Sequence, residues 1–460
     1  MPHTLDWRRL QPFAAVAVAV LAVAVLVTAL LAPGRAVPDP LVAVAGDRTV
    51  ACPVGDPVFG QTTVTGEGEE LRWSALGGEL GEAAARFSLT DPEQTVVVTG
   101  DQSMGVLSTA VQRGALVGAF CATPSATGWW DGVWVTDTQE SALILTNVDD
   151  TSASVTLTVY SQIGPVSVKG LRQIPIDRYE TRVVDLNTFF RDAGVTVDKP
   201  VAIELKADTG RVVSYLRSQG ELGEDWRQSS VGPTTDLVIP GVPTVQGEGE
   251  GASRYLFITN HGDTATKVQV LGQGTGAAVP LAAGTSEEGG GITIQPQTTT
   301  FLDLSQALAG ETIGIVLHSL AYREGADPQA ITAALVVVGT DMGSVAAQPE
   351  MSGGMVIPAV KDASLVVTNP GEQAARVVLT PRDAEGVLGT PSETQVNPGT
   401  LSIPLGVEAG SVDVTVDGDG VRVVLIVPRI GDTAGLIVAP LGAGGALGLN
   451  VTINYDPTLG

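Results

Sequence analysis

The residue types that carry acid–base or nucleophilic chemistry are few here and widely separated. Of three histidines, His3 precedes a long apolar segment, which leaves His261 and His318 for the rest of the chain. Imidazole is the usual general base and metal ligand near neutral pH. His261 follows the string LFITN (Leu256–Asn260) and reads as a turn residue, while His318 closes the apolar run IGIVLH and reads as a packed or edge histidine. Neither stands in an HExxH or other zinc spacing. Ser103 lies between glycines in GDQSMG (Gly100–Gly105), but not at the GxSxG spacing of a nucleophile elbow. GQGTG (Gly272–Gly276) lacks the GK[ST] ending and βαβ setting of a phosphate loop. The expectation is therefore no catalytic residue, no metal ligand set and no cofactor.

Two other residue types are distinctive. Trp129, Trp130 and Trp134 crowd into WWDGVW, and Trp226 ends GEDW, in a chain with six tryptophans. Exposed, these indoles would form a platform for a glycan; packed, they would fill a junction between units, where large aromatics bury much area. The two cysteines, Cys52 and Cys121, read as one disulfide if the chain is exported. Closing that loop would stabilise its unit by about 4 kcal/mol in the chain-entropy model.

Charge excludes some partners. Fifty acidic against 25 basic residues give a net charge of −25, which repels nucleic acid and anionic headgroups. Carboxylates at Asp149–Asp150 and at Asp417 and Asp419 read as solvated turns, and no EF-hand spacing occurs.

The elements that position these residues begin with a candidate membrane helix. Residues 13–32 run without a charge, long enough to span a bilayer, and Arg8 and Arg9 precede them. This predicts a cytoplasmic segment 1–12, an anchor 13–32, a Pro-rich stalk 33–43 and an extracellular remainder. The alternative is a secreted chain released by signal cleavage.

Beyond residue 43 the chain repeats itself. LILTN (Leu143–Asn147) returns as LFITN and as LVVTN (Leu365–Asn369), each followed by a polar turn and an alternating strand such as Val155, Leu157 and Val159. DGDG (Asp417–Gly420) reads as a hairpin turn, and VIPGV, VIPAV and IVAPL read as one recurring Pro-containing edge strand. Gly220–Thr235, Gln246–Ser253 and Gly284–Gly291 read as long connectors. The expected fold is all-β: tandem immunoglobulin-like sandwich repeats over 129–233, 234–350 and 351–460, after a distinct disulfide-stapled β unit over 44–128. A propeller-like all-β repeat is the alternative.

The Cys pair, WWDGVW, GEDW and the LxLTN repeats together resemble an actinobacterial family catalogued as domain of unknown function 5719. The resemblance spans nearly the whole chain and implies a secreted or membrane-anchored envelope protein. It brings no catalytic signature. The functional expectation is a non-enzymatic extracytoplasmic scaffold or interaction protein of the cell envelope. Its expected partners are the membrane, through residues 13–32, and a cell-wall glycan or envelope protein. The alternative is a glycan- or wall-polymer-binding protein using Trp129–Trp134.

Overall fold

The computed structural model describes residues 48–55, 60–195, 199–241, 252–276, 278–281, 291–308, 312–351, 353–406 and 410–442. The predicted anchor and stalk lie outside them, and no helix among the described residues is long and apolar enough to cross a membrane.

Repeat 1 consists of β7 (Thr127–Val133), β8 (Gln139–Thr146), β9 (Ala153–Ser161), β10 (Gly164–Val166), β11 (Ile174–Ile176), β12 (Thr181–Asp185), β13 (Val201–Thr209), β14 (Val213–Gly220) and β15 (Gly223–Arg227). These form two antiparallel sheets, ordered β10-β9-β13-β7 (with β11 also on β9) and β12-β8-β14-β15. Their inner faces share one core that includes Trp130, Leu143, Val155, Ile203 and Leu216. One helix, α1 (Leu186–Asp192), follows β12, its first turn capped by the Asp185 carboxylate accepting from Thr188 N.

The same order recurs twice. Repeat 2 runs through β16 (Asp236–Ile239), β17 (Ser253–Asn260), β18 (Thr266–Gln273), β19 (Val279–Pro280), β20 (Gly291–Ile294), β21 (Thr298–Asp303), β22 (Gly314–Ala321), β23 (Ile331–Val338) and β24 (Met342–Ala346). Its sheets are β16-β22-β18-β19 (with β20 also on β18) and β21-β17-β23-β24. Repeat 3 comprises β25 (Gly353–Pro358), β26 (Ser364–Asn369), β27 (Ala375–Arg382), β28 (Ser392–Val396), β29 (Gly399–Pro404), β30 (Ser411–Asp417), β31 (Arg422–Ile430) and β32 (Thr433–Leu441). Its sheets are β25-β30-β27-β28 and β29-β26-β31-β32. The all-β, tandem-repeat class therefore holds, and each repeat has two sheets where a propeller blade has one. No immunoglobulin strand order is assigned.

The stapled unit follows the same plan in trimmed form. It contains β1 (Arg48–Cys52), β2 (Gly60–Ala75), β3 (Ala84–Thr90), β4 (Val96–Gly100), β5 (Gly105–Gln112) and β6 (Ala115–Phe120). The N-terminal half of β2 pairs β3 and β5, giving β3-β2-β5-β6, while its C-terminal half pairs β4, giving β1-β4-β2. One long strand thus serves in both sheets, where the repeats use two strands and a turn. The Cys52–Cys121 disulfide joins β1 to the residue after β6.

Three local readings are corrected. DGDG does not close a hairpin: β30 and β31 lie in different sheets, and a sheet-changing corner uses the same turn chemistry. Val238 and Ile239 of VIPGV end β16 and Val356–Pro358 of VIPAV end the equivalent edge strand β25, but IVAPL belongs to β32, at the edge of the other sheet. Gly220–Thr235 is not a plain connector, because it contains β15, paired to β14 from Leu216↔Arg227 to Gly220↔Gly223.

The repeated asparagine explains the LxLTN string. Asn260 is fully buried; its Nδ2 donates to the carbonyls of Thr264 (2.9 Å), Gln295 (3.1 Å) and Ile294 (3.3 Å), and its Oδ1 accepts from Gly262 N (2.9 Å). Asn147 reaches Thr151 O and Asp177 O, and Asn369 reaches Gln373 O and Val396 O, in the same way. Each satisfies backbone groups that a sheet-changing corner would otherwise bury unpaired.

Candidate functional site at the module joints

The stapled unit and the three repeats pack head to tail, and the series closes on itself. Stapled unit and repeat 1 share a core of Ala51, Val117, Ala119, Ile144, Tyr215 and Trp226. Repeats 1 and 2 meet through Trp134, Leu222, Phe257, Val336 and Met342. Repeats 2 and 3 share a core in which Leu335, Val337 and Val345 face Val424, Leu436 and Val438. Repeat 3 returns to the stapled unit, with Leu107, Leu116 and Phe120 in one cluster with Met355 and Ile437. There Val356 N donates to Ser103 O at 2.8 Å. Backbone approach is so close that a Cβ on Gly105 would lie 1.9 Å from Val356 O.

The last strands of the four units, β6, β15, β24 and β32, converge on Asp341. Its carboxylate accepts from four backbone N–H groups: Leu116 of the stapled unit (3.1 Å), Glu224 of repeat 1 (3.4 Å), its own neighbour Met342 (2.8 Å) and Leu436 of repeat 3 (3.4 Å). Burial raises the Asp341 pKa, and the N–H donors oppose that shift. A Cβ on Gly435 would meet Asp341 Oδ2 at 2.5 Å, so the site requires glycine there.

A second polar group fills the joint between repeats 1 and 2. Arg227, buried on β15, donates to the carbonyls of Asp131 (2.8 Å) and Gly132 (3.0 Å) and lies 3.7 Å from Asp225. The Ser344 hydroxyl donates to Asp225, and those of Thr259 and Thr332 donate to Asp131. Burial pushes Asp131 up to about 6 and Asp225 up to about 7, against the donors around them. At the stapled-unit joint Tyr215, fully buried, donates towards Ala51 O (2.8 Å) and Phe120 O (3.1 Å) and accepts from Ala122 N (2.5 Å).

The histidines have separate partners. His261, in the turn after β17, lies 2.9 Å from Thr332 Oγ1 and edge-on to Tyr160 at 5.0 Å; burial lowers it to about 4. His318 on β22 contacts Asp236 at 2.7 Å, holding that carboxylate below its ordinary range. This pair lines a cleft of about 430 Å³ between repeats 2 and 3, with Val238, Val316, Glu372 and Arg422. Among the described residues no group of three or more His, Cys, Asp or Glu side chains is placed to hold a metal ion.

The four tryptophans do not share a surface. Trp130 and Trp226 are each 2% exposed, Trp130 in the core of repeat 1 and Trp226 in the stapled-unit joint. Trp226 lies within β15, inside the stretch Gly220–Thr235 that reads as a connector. Trp134 stacks edge-on against Phe257 at 6.4 Å in the joint between repeats 1 and 2. Trp129 is half-buried, its backbone N–H bonded to Ser229 Oγ at 2.9 Å. The sequence reading missed the joint residues Asp341, Asp131 and Asp225. Only Asp131, inside the strand TGWWDGV, carried a signal as a carboxylate in an otherwise uncharged strand.

A family model described as a family of unknown function (DUF5719) matches residues 82–400. No curated protein matches the chain. A solved structure titled "Biofilm associated protein - BSP domain" aligns over 88% of this chain and 96% of its own length, at 6% identity and a TM-score of 0.12.

Proposed function

The chain belongs to the family of unknown function DUF5719, and we propose that it is a non-enzymatic extracytoplasmic scaffold or interaction protein of the cell envelope. The observation that supports this is the use of its buried ionisable groups. Asp341, Asp131 and Asp225 accept hydrogen bonds across joints between units, and Arg227 braces the Asp131 and Gly132 carbonyls from within repeat 1. Groups tuned for catalysis sit in a cleft facing substrate; here the strongly perturbed carboxylates are spent on holding modules together. The apolar segment 13–32 supports attachment to a membrane with the modules outside.

Protease shaving and crosslinking of intact cells test this reading. It expects the modules to be cleaved from outside and crosslinked to envelope proteins or wall polymer. Protection from external protease, with only cytosolic proteins crosslinked, would contradict it.

A further inference from the structure

The joint between repeats 1 and 2 encloses two carboxyl groups and one guanidinium. Asp131 and Asp225 are 1% and 6% exposed, with Arg227 between them. The guanidinium serves Asp225 through its ion pair at 3.7 Å, but it meets Asp131 only at the backbone carbonyl. The Asp131 carboxylate relies on two hydroxyls at Oδ1, from Thr259 and Thr332 of the next repeat; its Oδ2 has no hydrogen-bond partner among the described residues. An ionised carboxylate with one oxygen facing no donor is costly in a dry interior, and the neutral acid is much less so.

Hydrogen bonds lead outward from Asp131 as far as His261, whose ring then packs edge-on against Tyr160. Thr332 Oγ1 donates to Asp131 at 3.0 Å and is 2.9 Å from His261 Nε2. Beyond the imidazole, Tyr160 donates to Glu204 at 2.5 Å. We propose that Asp131 is a proton-operated clasp: it holds a proton in the closed joint under mildly acidic conditions and ionises as the medium becomes neutral, loosening repeat 1 from repeat 2. The groups facing it are Arg227 from β15, Thr259 from β17 and Thr332 from β23; Asp225 is reached through Arg227, and His261, in the turn after β17, through Thr332. Asp341 and Glu224 lie beyond Asp225, and Arg113 of the stapled unit is 3.7 Å from Glu224.

The sign follows from burial raising Asp131 from 3.8 to about 6. Its stabilising contribution is complete below the unfolded value and is lost as pH rises through the folded one. His261, lowered to about 4, stays neutral over most of that window and keeps an N–H for Thr332.

The test is an infrared titration of the full-length chain, following the carboxylic-acid C=O stretch. Wild type minus Asp131→Asn should show this band at about pH 5, where exposed carboxylates are ionised, and lose it by about pH 8. Over the window from pH 4 to 6 the wild-type unfolding constant should rise relative to that of Asp131→Asn, by up to about tenfold per pH unit. Thr332→Val removes a hydroxyl that favours the ionised form, and should move the loss of the band to higher pH. No band in the difference spectrum, with parallel stability curves, would overturn the proposal. If Asp131→Asn fails to fold, an unmoved band in Thr332→Val, or no band in wild type at about pH 5, would do so.

Discussion

At the scale of single residues, the joints depend on polar groups kept in chosen protonation states. His261 illustrates the opposite sign to Asp131. Burial lowers its pKa from 6.5 to about 4, so its contribution is fully present above about pH 6.5 and is lost as pH falls through 4. His261→Gln retains a hydrogen-bonding side chain but cannot take up that proton. The variant should therefore lose less stability than wild type between pH 6.5 and 4, the ratio of unfolding constants changing by up to about tenfold per pH unit. Chemical denaturation across this range measures it; superimposable pH profiles would contradict the assignment. These residues were only partly legible in the sequence. His261 was placed correctly in its turn, but the groups it meets come from β9 and β23, and only the folded register brings them together.

Among elements, the sheet-changing corner is the device this chain repeats in all three of its LxLTN copies. Asn260→Ala would leave carbonyls of Thr264, Gln295 and Ile294 and the N–H of Gly262 without their partner. At about 1–3 kcal/mol for each buried group left unsatisfied, partly relieved by water, a loss of about 2–4 kcal/mol is expected. Urea unfolding measures it, with an unchanged midpoint contradicting the role. This device was visible as LxLTN because its work is local and needs the same residue in every copy. The strand β15 was not visible, because Gly223–Arg227 is buried along nearly its whole length and shows no alternation. The kinship of the stapled unit was hidden for another reason. Its β2 runs 16 residues through both sheets, so the corner that carries the signature asparagine is missing.

For the whole molecule, composition and periodicity made the all-β class and the repetition legible, but not the closure. Head-to-tail contacts between similar units generate either an open row or a closed ring, depending on the rotation per step. Here the Leu107, Leu116 and Phe120 side chains of the first unit enter the core of the last, and the series closes. Side chains far apart in sequence set that geometry, Asp341 above all: it is 225 residues from Leu116, whose N–H it accepts. Hydrogen exchange in an Asp341→Ala variant of the full-length chain tests closure most directly. Removing one carboxylate should raise amide exchange by an order of magnitude or more at Leu116, Glu224 and Leu436 together, since each lost bond exposes a buried N–H worth about 1–3 kcal/mol. Faster exchange confined to the β23–β24 hairpin, with Leu116, Glu224 and Leu436 unchanged, would contradict a closed four-unit body.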